Sequence, residues 1–352
     1  MSKLTFRDIH VRYFGYDEAV IGFSASFSTG WNVIFGAQGS GKTTLLKALS
    51  GLIESSGEVD YDGEDYRSVP LKDRDFQLVF DDLALFSRRS VRYNLEYPLK
   101  KRGFSKNEIR ERVYTAAEKF GLDVMINAPV YRLTEWHKVA LALCRVYIRK
   151  AKVTFIDNVF SCLDEVTRRQ AFLTFTPLLS ECGILIFATD SISEAASLSD
   201  TIFYLSAGYL LQEGSIRDFM NKPASVSAFL NFFEYPSVLS CRVEKGGVSA
   251  LGRVVSFDNS ALISSSYVGS EALVGLLPRD FSLTDRGETG RIIGFFHSSE
   301  GIISVVQTEN ARLYALIGNT FCVGDEVVLG FSYPRFLFDR ISERSIVRYQ
   351  DA

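Results

Sequence analysis

The sequence is short of the residues on which metal and redox sites are built. It has three histidines, His10, His137 and His297, too few and too scattered for a histidine metal cluster. Its five cysteines, Cys144, Cys162, Cys182, Cys241 and Cys322, show no C-x-x-C spacing. That argues against a disulfide framework or zinc site and for small buried thiols in a reducing compartment. There is no basic tract or stripe, and the net charge is −3, so nucleic acid is not an indicated partner. No apolar run approaches the roughly 18 residues of a membrane span, and Val139–Ile148 is interrupted by Arg145. Met1-Ser2-Lys3-Leu4 runs straight into an amphipathic strand pattern, so no signal peptide is expected. The expectation is a cytosolic protein that reaches a membrane only through a partner.

What is present is a phosphate-binding loop. Gly36-Ala37-Gln38-Gly39-Ser40-Gly41-Lys42-Thr43-Thr44 fits G-x-x-x-x-G-K-[ST]. Trp31–Phe35 before it reads as a buried strand. Thr44–Leu52 after it reads as a helix with Leu45, Leu46, Leu49 and Leu52 on one face. Gly36, Gly39 and Gly41 let the backbone turn its N–H groups inward, the helix N-terminus adds its positive end, and Lys42 adds a full charge near the terminal phosphates. Thr43 offers a hydroxyl to Mg²⁺. A nucleoside triphosphate is the expected ligand.

A chain of 352 residues, 47% hydrophobic, is expected to form about two domains. Residues 1–35 alternate apolar and polar as strands do, and Gly57–Val69 reads as a hairpin turning at Asp62-Gly63. Ser105–Phe120 and Val139–Ile148 read as helices. Val153–Ile156 and Ile184–Phe187 read as central parallel strands, with Thr167–Leu179 as the crossover helix between them. That alternation predicts an α/β nucleotide-binding domain over 1–222. A linker over 223–238 contains Pro223, Pro236 and the aromatics Phe229, Phe232, Phe233 and Tyr235. These rings are read as packing between domains, not as a ligand cage. The Gly-punctuated, strand-like stretch 239–352 is read as a small all-β, OB-like domain.

Several segments, in order, resemble the ATP-binding subunit of ABC importers, in the subclass with a C-terminal regulatory β domain. Leu78–Phe86 is similar to the family's Q-loop. Phe155–Asp164 is similar to Walker B and the D-loop, Phe187–Asp190 to the switch segment, and Leu276–Asp280 to the R-P-E segment of the regulatory domain. The resemblance covers nearly the whole length. It implies ATP and Mg²⁺, with Lys42, Ser40, Thr43, Thr44 and Asp157 on phosphate and metal, and Asp81 as a further candidate metal ligand. It also implies an aromatic stacking on adenine, with Phe14 favoured by ungapped counting and Tyr13 left open. Ser161 and Asp164 keep the D-loop pattern. The Leu83–Arg92 flank resembles the groove that receives a transmembrane coupling helix.

The departures fall on chemical positions. The Q-loop glutamine is Asp81. The general-base carboxylate after Walker B is Asn158, and the switch histidine is Asp190. A carboxamide does not accept a proton at neutral pH, and general-base catalysis is worth about 10²–10⁴-fold. The interval Val130–Lys138, where the glycine-bearing signature belongs, has no glycine. Glu135 and Trp136 are expected to repel or block a facing phosphate there. His137 reads as a surface residue on a rebuilt helix start.

The resemblance therefore implies a subunit that binds ATP with little hydrolysis of its own. It would pair with an intact ATPase paralogue and sit at the cytoplasmic face on transmembrane permease subunits, indirectly serving a solute-binding protein in uptake of a solute such as a sugar. Two competing readings remain. One is a catalytic ATPase with its carboxylate relocated to Asp81 or Asp190. The other is a regulatory protein that senses a ligand through 239–352.

Overall fold

The computed structural model describes residues 2–13, 18–199, 201–257, 261–318, 320–332 and 334–349. The chain divides into two compact units, Met1–Glu213 and Gly214–Ala352. The division lies nine residues before the end of the first domain as composition marked it, 222 − 213 = 9.

In the first unit β1 (Lys3–Arg12) and β2 (Glu18–Ser28) precede β3 (Gly30–Phe35) and α1 (Lys42–Leu49). There follow β4 (Ser56–Tyr61), β5 (Glu64–Asp65), β6 (Phe76–Val79), α2 (Val91–Lys101), α3 (Lys106–Lys119) and α4 (Glu135–Arg149). The unit continues through β7 (Val153–Asp157), α5 (Glu165–Phe175), β8 (Ile184–Thr189), α6 (Ile192–Leu198), β9 (Ile202–Ser206) and β10 (Tyr209–Gly214). An antiparallel sheet runs β2-β1-β4-β5, and a second sheet runs β10-β9-β3-β8-β7-β6. In the second, β9, β3, β8, β7 and β6 are parallel. Every residue of β7 and β8 is buried, as a strand covered on both faces requires. Leu45, Leu46 and Leu49 of α1 join Phe6, Phe27, Phe155 and Phe203 in one core.

Local chemistry sets the helix limits. α1 stops at Leu49 because Gly51 takes a left-handed φ of 80°. Leu52, expected on its buried face, lies beyond it and is 55% exposed. α3 opens on a capping box: Ser105 Oγ accepts from the Glu108 N–H, and Glu108 Oε2 accepts from the Ser105 N–H. α4 begins four residues earlier than the apolar pattern, at Glu135, capped by Thr134. α5 ends at Phe175, not Leu179. Pro177 has no N–H to continue it and starts a 3₁₀ turn instead.

The second unit contains α7 (Ile216–Asn221), α8 (Val226–Phe232), β11 (Ser237–Glu244), β12 (Gly247–Ala250), β13 (Arg253–Ser256), β14 (Ala261–Ile263) and β15 (Glu271–Leu276). It then runs through β16 (Phe281–Ser298), β17 (Gly301–Thr308), β18 (Arg312–Ala315), β19 (Glu326–Phe331), β20 (Phe336–Asp339) and β21 (Val347–Tyr349). Two sheets, β13-β12-β11-β15-β20 and β18-β17-β16-β19, share one core that includes Val243, Val274, Ile292, Val306 and Leu329. Beyond its two leading helices and two short 3₁₀ turns, the described residues of this unit form strands and loops, as expected. Phe229 and Phe233 are read from the sequence as packing between domains. They pack on Phe336, with Phe229 also against Phe338, inside the second unit. Tyr235 stacks on Phe296 of the same unit.

Candidate nucleotide site

Parallel register carries the functional residues to one edge. Phe35 ends β3 beside Thr189, which ends β8, and Asp157 ends β7 beside Ala188. β6 lies next to β7 and leads through Phe80 to Asp81. The loop Gly36–Thr44, Asp190, Asp157–Asn158 and Asp81 therefore all follow C-terminal strand ends, where open α/β sheets bind ligands. An open cleft of about 480 Å³ is lined by Lys42, Thr43, Asp81, Asp157, Asn158 and Asp190, together with other loop residues and Ser161.

The loop needs its glycines for two different reasons. A Cβ on Gly36 would lie 2.6 Å from Ser40 Oγ and closer still to the Leu205 carbonyl oxygen. Gly41 precedes α1 with φ 102°. Lys42 is buried, and its ammonium donates to the carbonyls of Gly36 at 2.7 Å and Ala37 at 2.9 Å. Burial lowers its pKa, while the charges of Asp190 and then Asp157 pull it back up. Asp157 is 2% exposed. Burial raises its pKa against the hydrogen bond from Thr43, and Asp81 pushes the same way.

A buried carboxylate beside the hydroxyl of Thr43, the residue after Lys42, is a donor set that fits Mg²⁺. Among the described residues no group of three or more His, Cys, Asp or Glu side chains could hold a metal ion. Phosphate oxygens would have to complete the shell. Tyr13 is exposed, with its hydroxyl 3.3 Å from Thr44 Oγ1. Phe14, the favoured adenine aromatic, lies outside the described residues.

Two arginines missed in the sequence organise the far wall. Arg168, on α5, donates through Nε to Glu194 Oε1 at 2.7 Å and through Nη2 to Glu194 Oε2 at 3.1 Å. The same Nη2 reaches Asp190 Oδ1 at 3.0 Å and Asn158 Oδ1 at 3.4 Å. One guanidinium thus ties the positions after Walker B and in the switch. Asn158 holds φ 40°, a conformation asparagine tolerates, and its N–H donates to the Ala188 carbonyl. After β6 the backbone turns through Leu83 at φ 62° and Ala84 at φ 41°. Arg145 caps that turn by donating to the Ala84 carbonyl at 3.0 Å. Arg145 had registered only as a charge interrupting an apolar run. Neither role leaves a local pattern, because each partner lies on a different element.

The interval Val130–Lys138 makes its contacts within its own unit. Val130–Arg132 form a 3₁₀ turn. Thr134 Oγ1 lies 2.7 Å from His137 Nδ1 within the helix cap. Trp136 packs on Phe175, with ring centroids 5.0 Å apart. The indole therefore has an apolar contact within its own unit.

Residues 22–161 match the model of the ABC transporter family. The chain is 29% identical over 323 residues to the Fe(3+) ions import ATP-binding protein FbpC of Brucella abortus (strain 2308), spanning 89% of this chain and 90% of that one. It is 32% identical over 216 residues to the spermidine/putrescine import ATP-binding protein PotA of Aggregatibacter actinomycetemcomitans, spanning 60% and 58%. CbiO1 of Clostridium perfringens, part of the ABC transporter complex CbiONQ, shares the fold with TM-score 0.56 and 23% identity over 62% of this chain and 90% of that one. The first unit accordingly has the mixed α/β fold of an ABC ATPase domain, and the relatives it is similar to are named for import of ferric iron and of spermidine/putrescine. Among the described residues no helix is long and apolar enough to cross a membrane.

Proposed function

We propose that this chain is the ATP-binding subunit of an ABC importer in which nucleotide binding is kept and hydrolysis largely lost. The observation that carries this is one cleft with two unequal halves. The cradle half is complete: the loop, buried Lys42, and the Thr43–Asp157 pair. The opposite half offers Asn158 in place of a base and Asp190 engaged by Arg168. In bound form Mg²⁺ would neutralise phosphate charge. Around it Lys42 and the loop N–H groups would hold the phosphates, Thr43 and Asp157 would hold the metal, and Asn158, where the family's base belongs, would take no proton from water. For Asp190 the relocated-carboxylate reading is disfavoured because Arg168 holds that carboxylate in an ion pair; for Asp81 the turnover measurement below decides.

We further propose that the chain pairs with an intact ATPase paralogue, whose own site carries the remaining turnover, and couples it to transmembrane permease subunits at the cytoplasmic face. Docking is supported by an aromatic patch beside the Q-loop turn. Phe86 is 39% exposed and Tyr97 36%, with Phe86 packed edge-on to both Tyr93 and Tyr97. The relatives named for ferric iron and polyamines put small solutes of that kind ahead of sugars as cargo.

The test is equilibrium binding of a fluorescent ATP analogue, with and without Mg²⁺, to the purified chain and to Lys42→Ala, alongside steady-state ATP turnover. Tight Mg²⁺-dependent binding with turnover at background is expected. Robust turnover by the isolated chain would overturn the proposal. In a purified complex, changing the paralogue's general base must abolish turnover.

A further inference from the structure

The cleft carries more negative charge than a triphosphate would favour. Asp81, Asp157 and Asp190 line it together, against one lysine from the loop. Asp157 is accounted for by the metal it fits. Asp190 is different: it follows β8 directly, next to Thr189, whose carbonyl accepts from the Gly36 N–H at the start of the loop, and it lines the same cleft as Lys42. Its charge is the largest acting on Lys42, ahead of Asp157's. Arg168 holds it from the other side, with Nη2 at 3.0 Å from Oδ1, and is itself fixed by two bonds to buried Glu194.

We propose that the Arg168–Asp190 pair sets how many phosphates the cleft accepts. Asp190 opposes a third phosphate, and Arg168 limits that opposition by drawing the carboxylate back. Arg168 is a positioning residue: it acts on the nucleotide through Asp190. The cleft then discriminates weakly between nucleoside di- and triphosphates, and the bias is adjustable at one ion pair. The inference rests on reading the cleft as a nucleotide site.

The experiment measures dissociation constants for MgATP and MgADP on wild type, Asp190→Asn, Arg168→Gln and the double variant. Thermal melts of each variant establish folding. Asp190→Asn should move the ATP-to-ADP preference about 5–10-fold toward ATP, because one charge facing the terminal phosphate is gone. Arg168→Gln should weaken ATP about 3–10-fold while leaving ADP within about twofold, and the double variant should regain the ATP affinity. Arg168→Gln leaves Glu194 without its cation and could unfold. Asp190→Asn keeps that pair and decides the matter alone. If Asp190→Asn leaves the preference unchanged, or Arg168→Gln weakens both nucleotides equally, the inference fails while the nucleotide site stands. If wild type binds neither nucleotide, both fail.

Discussion

Two alanine substitutions three residues apart should separate steric from conformational demands in the loop. At Gly36 the added Cβ would sit 2.6 Å from Ser40 Oγ and closer to the Leu205 carbonyl oxygen. Neither neighbour can yield. Leu205 is fully buried in β9, whose residues Phe203 and Tyr204 register with Ile34 and Phe35, and Ser40 is 5% exposed. Relief requires lifting Gly36 off the sheet edge. That disturbs its N–H bond to the Thr189 carbonyl and the carbonyl that Lys42 holds at 2.7 Å. Overpacking of this kind costs about 1–3 kcal/mol, and displacing the phosphate donors should weaken ATP more than tenfold.

At Gly39 a Cβ meets nothing within 4 Å, and the only obstacle is φ 81°. A left-handed non-glycine residue costs about 1–2 kcal/mol, so Gly39→Ala should lower Tm by a few degrees and leave ATP affinity within about threefold. Thermal melts with parallel nucleotide titrations read both effects. If Gly36→Ala binds ATP like wild type, or Gly39→Ala proves the more damaging, the loop geometry described above is wrong.

Asp157→Asn should raise the Tm of the nucleotide-free first unit while abolishing Mg²⁺-dependent stabilisation by ATP. Its carboxyl has a folded pKa above the unfolded value, so the charged form costs the fold at neutral pH. That cost disappears as pH falls through the folded pKa, so the gain from the substitution should shrink on acidification, as melts across pH would show. Asn158→Glu alone should not bring turnover of the isolated chain above background, because the new carboxylate would lie beside Arg168 at a residue with φ 40°; a tenfold rise in phosphate release would contradict this. Phe229→Ala removes a fully buried ring packed on Phe233, Phe336 and Phe338. It should destabilise the second unit by about 3–5 kcal/mol, read by calorimetry or hydrogen exchange.

The cradle was legible because its demands are local. A strand, a glycine loop and a helix follow one another in Trp31–Leu49, and the apolar runs that became β7 and β8 are continuous. The far wall was only half legible. Asp81, Asn158 and Asp190 could be found as substitutions in a known pattern. Arg168 could not, because its partners lie 10, 22 and 26 residues away on other elements. Arg145 meets Ala84 across 61 residues for the same reason. α2 gave no helical signal, since Pro98 lies inside it and its start depends on the Ser90 cap. The contact of Trp136 with Phe175 was not legible, because the two rings lie 39 residues apart on different elements.

The complete burial of β7 and β8, paired to each other and flanked by β6 and β3, has a consequence for how the cleft survives thermal fluctuation. Amides in such strands exchange with solvent only when the whole unit opens, whereas exposed loops open individually at far lower cost. Asp157, Asn158 and Asp190 are attached to the slowest-exchanging part of the chain. Their spacing is therefore set for the lifetime of the folded unit, and local breathing of the phosphate loop or the Asp81 turn would change access to the cleft without moving Asp157, Asn158 and Asp190 relative to one another.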